Sequence, residues 1–340
     1  MPARLVDRAA VVTPQQLIAG LVPPPLFAGV RFGSYLPDPA EPTQAAALEA
    51  LRGFATELRR PPPRGGLLRR RAPAPSRGVY LDGGFGVGKT HLLASLWHEA
   101  PTPKAYATFV ELTHLAGALG FQSLVEAMSG MRLLAIDEFE LDDPGDTVLI
   151  STLLGSLAQH GVALAATSNT LPDRLGAERF ASEDFLREIQ GLAARFTAVR
   201  VDGPDYRHRG LPPAPAPPPD DEVRALAEAL PGATLDDFDA LLRHLAALHP
   251  SRYGALVDGV TAVHLLGVTP APDQNVALRL VVLADRLYDR QTPLVTSGVP
   301  LDGIFDADML AGGYRKKYRR AISRLVALTR LGGTAEVPSG

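Results

Sequence analysis

The chain has 340 residues, a formal net charge of −3, 46% hydrophobic and 21% charged residues. That balance is long and apolar enough for one large core or two domains, and it excludes wholesale disorder and a whole-chain nucleic-acid footprint. The absence of cysteine excludes disulfides and thiolate metal sites and fits a reducing compartment.

The opening MPARLVDRAAVVTPQQL lacks the apolar run of a signal peptide. No window approaches the ~18 uninterrupted apolar residues that span a bilayer. A soluble, cytoplasmic protein is expected. Residues 1–77 read as an N-terminal helical and extended segment ending in RPPPRGGLLRRRAPAPSR (60–77), whose prolines forbid a regular helix.

Next, GVYLD (78–82) predicts a buried strand, followed by a glycine loop and a helix from about Lys89 to His98. AYATFV (105–110) predicts a second strand and LTHLAGALGFQSLVEAM (112–128) a helix. RLLAIDEF (132–139) is a third strand, DTVLISTLLGSLAQHG (146–161) a helix, and VALAATSN (162–169) a fourth strand. This alternation predicts an α/β fold, a parallel sheet covered by helices on both faces, within a core of 78–209.

GLPPAPAPPPDDE (210–222) reads as a proline-rich linker. A second, smaller module over 223–331 begins with the helices EVRALAEAL and DDFDALLRHLAAL. It then runs strand AVHLLGV, helix NVALRLVVLADRLYDR and strand PLVTSGV, in an order that echoes the first module. Residues 332–340 form a loose tail.

Chemistry concentrates first at Gly83-x-x-x-x-Gly88-Lys89-Thr90, a complete phosphate loop. Consecutive backbone N–H groups must turn inward around a polyphosphate, which needs angles that glycine adopts cheaply, and the following helix offers its positive end. Gly83, Gly84, Phe85, Gly86, Val87, Gly88, Lys89, Thr90 and His91 would line the nucleotide. Lys89 would meet the β- and γ-phosphates and Thr90 would hold Mg²⁺. The ring of His91 suits helix packing better than chemistry.

Asp137 and Glu138 end an apolar strand, where a carboxylate points at the phosphate crevice. Asp137 would bind the Mg²⁺ water shell and Glu138 would orient the attacking water. Asn169 closes the fourth strand and would sense the γ-phosphate, with Thr167 and Ser168 as lesser candidates. A transition state of this kind uses a further cation, for which Arg179 and Arg195 are candidates; a finger acting in trans would require a homo-oligomer. No Asn-Lys-x-Asp element is present to read guanine, so ATP is the expected nucleotide. The basic strips LRRRAP (68–73) and YRKKYRR (314–320) could touch phosphate-rich partners, although such charges usually form a solvated helix face.

These residues together resemble the ZapE-type ATPases of bacterial cell division and their AFG-like relatives, of the AAA type. The resemblance is carried by FGSYLPDPAEPTQAAALEAL with Gln44 ahead of a helix feeding the nucleotide site, GVYLDGGFGVGKTHLL, LLAIDEFELDDPGDTVLISTLL, GVALAATSNTLPDRL, the triplet Asp205-Tyr206-Arg207, LADRLYDRQTPLVTSGVPLDGIF and YRRAISRL. The family's finger pattern is shifted here, in GAERFASEDFL, so Arg179 and Arg195 both stay open.

The resemblance implies an ATPase that acts at the division septum on the tubulin-like Z-ring protein, with peripheral membrane association allowed. The residues themselves leave open a helicase-loader-like ATPase handling nucleic acid, and a nucleotide-switched scaffold with little turnover.

Overall fold

The computed structural model describes residues 2–8, 13–60, 78–84, 86–140, 144–170, 190–191, 193–203 and 214–333. Phe85, Arg179, the triplet at 205–207, and the proline-rich stretches 61–77 and 210–213 lie outside them. The chain divides into two compact units: Pro14–Arg209, and Met1–Thr13 together with Gly210–Gly340. The N-terminal stretch is therefore shared between the units instead of standing alone.

In the first unit, helix α1 is Pro14–Ala19 and helix α2 is Pro42–Arg59. Strand β1 (Gly78–Asp82) leads through the glycine loop into α3 (Lys89–Glu99). Then follow β2 (Lys104–Thr108), α4 (Phe109–Leu119), α5 (Phe121–Met128), β3 (Leu133–Asp137), α6 (Pro144–Gln159), β4 (Ala163–Ser168) and β5 (Phe196–Arg200).

The strands form one parallel sheet in the order β2-β3-β4-β1-β5. Alternate residues face opposite layers, as the pleat requires. Val79, Leu81, Leu133, Ala135, Ala163 and Ala165 pack with α2 and α3. Tyr80, Leu134, Ile136, Leu164 and Ala166 pack with α4, α5 and α6. Burial on both faces explains why these strands are apolar throughout instead of alternating.

Several boundaries differ from the sequence expectation, two of them for a clear local reason. The second strand stops at Thr108, because Thr108 caps α4: its Oγ1 accepts the N–H of Glu111, whose carboxylate accepts the N–H of Thr108. The expected long helix then breaks at Gly120, whose φ of 80° suits glycine and separates α4 from α5.

In the second unit, α7 (Asp220–Ala229), β6 (Thr234–Asp237), α8 (Phe238–Ala247), β7 (Val263–Val268), α9 (Gln274–Asp289), β8 (Leu294–Gly298) and α10 (Arg315–Gly333) build a parallel three-stranded sheet ordered β6-β7-β8. Strand β6 is a correction: the stretch expected to be wholly helical starts extended. Asp237 then caps α8 by accepting the N–H of Ala240. Ala3 bridges Thr234, and the carboxylate of Asp236 accepts the N–H groups of Leu5 and Val6. Burial raises the pKa of Asp236 despite these bonds. Among the described residues no helix is long and apolar enough to cross a membrane.

Candidate functional site

The strand order is what assembles the site. Strand β4 lies between β1 and β3, and the registers Asp82↔Ser168, Arg200↔Asp82 and Thr108↔Asp137 bring the strands' C-terminal ends to one edge. That edge is where open parallel sheets hold ligands.

The loop leaving β1 is shaped by contacts on both sides. A Cβ on Gly83 would sit 2.0 Å from the carbonyl oxygen of Val201, which follows β5. Gly88 caps α3 with φ of 89°, and a Cβ there would meet the Tyr35 ring at 2.6 Å. The Tyr35 hydroxyl donates to the Val87 carbonyl at 3.1 Å. His91 packs edge-on to Tyr35 and lies 3.0 Å from Ser34 Oγ, so its contacts go to the segment preceding α2.

Lys89 is buried. Its ammonium donates to the carbonyls of Gly83 and Gly84 and to Asn169 Oδ1 at 3.0 Å. A phosphate oxygen entering the loop would exchange with these neutral acceptors and gain a charged partner.

Asp137 is also buried and accepts four hydrogen bonds. Thr90 Oγ1 donates to Oδ1 at 3.3 Å and the Glu138 N–H at 3.1 Å; Thr167 Oγ1 donates to the same oxygen, and the Tyr106 hydroxyl donates to Oδ2 at 2.9 Å. Burial and the neighbouring Glu138 charge still hold its pKa above the usual carboxylate range, with the hydroxyl donors pulling the other way. Thr90 and Asp137 form a hard-oxygen pair suited to Mg²⁺, a cation that takes one or two protein ligands and completes its shell with water and substrate phosphates. Among the described residues there is no group of three or more His, Cys, Asp or Glu that could hold a metal ion.

Glu138 has a φ of 53°, in the left-handed region. The cause is local. Phe139 returns to β4, its N–H donating to the Thr167 carbonyl at 2.7 Å, and its buried ring packs edge-on to Phe109, Tyr80 and Phe196. Glu138 thus sits at the turn between Asp137 and Phe139, at a backbone cost of ~1–3 kcal/mol of the kind that clusters at functional sites.

Asn169 joins two charges: Oδ1 accepts from Lys89, and Nδ2 donates to Glu140 at 3.0 Å. Thr167 and Ser168 are buried, and Thr167 also receives the Glu138 N–H on its hydroxyl at 3.1 Å. Gln44 lies within the first turn of α2 and not ahead of it. Its amide accepts from the Asp38 N–H and donates to the Asp202 carbonyl, both at 2.9 Å.

Arg195 is not brought to this edge. Its carbonyl accepts from Gly78 at the start of β1, and its guanidinium lies 3.2 Å from the Cβ position of Gly155 on α6, at the opposite end of the sheet. Arg179 lies outside the described residues. Tyr106, Glu140 and Arg200 were not anticipated. Arg200 ends β5 and pairs with Asp82 at 2.7 Å and Asp202 at 2.6 Å, and these two carboxylates raise its pKa.

A parallel sheet with a glycine loop at one strand end and acidic and amide side chains at the next two defines a P-loop ATPase. The family profile described as AFG1-like ATPase matches residues 11–230 and 220–332, and the chain belongs to that family. It is 27% identical over 347 residues to the cell division protein ZapE of Escherichia coli K12, covering 86% of this chain and 92% of that one. An uncharacterized protein of Schizosaccharomyces pombe is 29% identical over 153 residues, 40% of this chain and 34% of the other. Among solved structures the chain has a weak similarity to DnaI (TM-score 0.39, 17% identity, 54% of this chain and 93% of that one). It has another to the replication initiator DnaA bound to AMPPCP and single-stranded DNA (TM-score 0.38, 12% identity, 91% and 98%).

Proposed function

We propose that this protein is a Mg²⁺-dependent ATPase that couples hydrolysis of ATP to ADP and phosphate to remodelling of a protein partner, the tubulin-like Z-ring protein of bacterial division. The observation that carries the ATPase half is the convergence at one sheet edge of two hydrogen-bonded pairs, Lys89 with Asn169 and Thr90 with Asp137. In this reading the loop 83–88 wraps the phosphates, Lys89 neutralises their charge, and Thr90 and Asp137 hold Mg²⁺. The metal, when bound, supplies charge neutralisation across the β- and γ-phosphates. Glu138, beside Asp137, accepts a proton from the attacking water, and Asn169 fixes that water against the γ-phosphate. The partner half is supported by similarity along most of the chain to a protein named for cell division.

Among the described residues the cation bonded within the cluster is Lys89, and Arg200 is committed to Asp82 and Asp202. The additional transition-state cation comes, in this proposal, from a neighbouring copy, with Arg179 and Arg195 as the candidate donors. Specific activity should then rise with protein concentration; constant activity across dilution would contradict an arginine acting in trans. The deciding experiment compares ATP turnover alone, with polymerised Z-ring protein and with single-stranded DNA. Stimulation by the polymer supports the proposal. Stimulation by DNA alone, fading steeply with salt, would replace it with the nucleic-acid-handling reading.

A further inference from the structure

Asn169 sits between opposite charges, and that settles which way its amide points. Oδ1 faces the Lys89 ammonium at 3.0 Å, and Nδ2 faces the Glu140 carboxylate at 3.0 Å. A flipped amide would set N–H against ammonium and carbonyl oxygen against carboxylate, two repulsive contacts in place of two charge-assisted bonds.

The two anchors are not equivalent. Lys89 belongs to the phosphate loop and, in the ATPase reading, would exchange its carbonyl partners and Asn169 for a phosphate oxygen. Glu140 lies beyond the strand end and outside the loop, next to Phe139, which is buried in the core and bonded to β4.

We infer that Glu140 is a positioning residue for hydrolysis: it fixes the Asn169 amide through one Nδ2–H so that the second Nδ2–H is aimed at the reacting phosphate edge. An amide nitrogen carries two donors, and the bond to Glu140 uses one. Without Glu140, once Lys89 has moved to phosphate, the amide is free to rotate and to present its oxygen to a negatively charged phosphate. This inference rests on the ATPase reading of the site. It extends that reading to a residue outside the loop and outside the Asp137–Glu138 pair.

The test uses the full chain with Glu140→Ala, Glu140→Gln, Asn169→Ala and the double variant Asn169→Ala/Glu140→Ala, each checked for an unchanged melting profile. Removing a charge-stabilising donor outright typically costs roughly 10²–10³ in kcat, and loosening its aim should cost less. Glu140→Ala is therefore expected to lower kcat about tenfold while the Kd for ATP stays within about threefold. Glu140→Gln, whose Oε1 still accepts from Nδ2, should recover most of that loss.

In the Asn169→Ala background the Glu140 change should have no further effect, because the residue acts through the amide. A Glu140→Ala enzyme as fast as the parent would overturn the inference. So would an equal loss of kcat with and without Asn169, or a Glu140→Gln enzyme as slow as the alanine variant. Lys89→Ala is the separate control on the site itself. If it binds and hydrolyses ATP normally, the phosphate-loop reading fails; if it does not, while Glu140→Ala is fully active, only the role of Glu140 fails.

Discussion

Replacing Gly83 with alanine tests whether the loop is shaped by its neighbour across the sheet and not by glycine flexibility alone. The new Cβ would lie 2.0 Å from the Val201 carbonyl oxygen and 3.0 Å from its carbon. Ordinary contact requires a shift of roughly 1 Å or more. The obstacle is backbone, so no side-chain rotation relieves it. Val201 is fully buried, and its N–H donates to the Asp82 carbonyl at 2.8 Å. Displacing it sacrifices that bond and leaves buried polar groups unpaired, a loss of about 2–4 kcal/mol. Trp97, the single tryptophan, lies on α3 in the same unit and reports its unfolding by fluorescence. With a urea slope of ~2 kcal/mol/M, the midpoint should fall by about 1–2 M. Gly84→Ala is the control, since nothing lies within 4 Å of its Cβ position; its midpoint should barely move. A Gly83→Ala protein with the parent's midpoint would refute the steric argument.

Tyr106→Phe removes a donor to the ionised form of Asp137. The carboxyl pKa, already raised by burial and by Glu138, should rise further, and the acid limb of the kcat/KM profile should move to higher pH; an unmoved limb would detach Tyr106 from the site. In the second unit, burial would raise the pKa of Asp285, but Arg320 and Arg324 outweigh it and hold it below the usual range. The stability this group contributes is present above the unfolded carboxylate value of about 3.9 and is lost as pH falls through the lower folded value. Asp285→Asn should therefore lower the melting temperature at pH 7 and lessen the fall in stability on acidification below pH 4. Arg195→Ala should weaken packing on α6; its side chain lies at the far end of the sheet from its own phosphate loop, so a kcat within about twofold would leave Arg179 as the trans donor, and a loss of 10²-fold or more would assign Arg195 that role.

Much of the first unit is legible in the sequence, because five-residue apolar runs between glycine and helical periods admit few readings. Strand β6 is not: Thr234–Asp237 carries two acids and one large apolar residue, and it is extended because it pairs with β7 and with Ala3. Lys89, Thr90, Asp137 and Asn169 are legible from local spacing. Tyr106 and Arg200 are not, since they reach the site through strand order and register, which no local pattern states. Glu140 belongs to the same acidic run as Glu138, but its partner Asn169 lies just beyond the end of the neighbouring strand. Arg195 shows the converse. Its place before a strand is legible, yet the parallel pairing of Gly78 with Phe196 puts that strand's start at the end remote from the phosphate loop.

The central claim is that the cluster around Lys89 and Asp137 binds and hydrolyses ATP. It is tested most directly by measuring ATP binding and single-turnover hydrolysis together in the parent, Lys89→Ala and Glu138→Gln proteins. Lys89→Ala should lose tight binding, and Glu138→Gln should bind ATP at the parent's affinity yet leave it uncleaved. Normal binding by Lys89→Ala, or normal cleavage by Glu138→Gln, would contradict it.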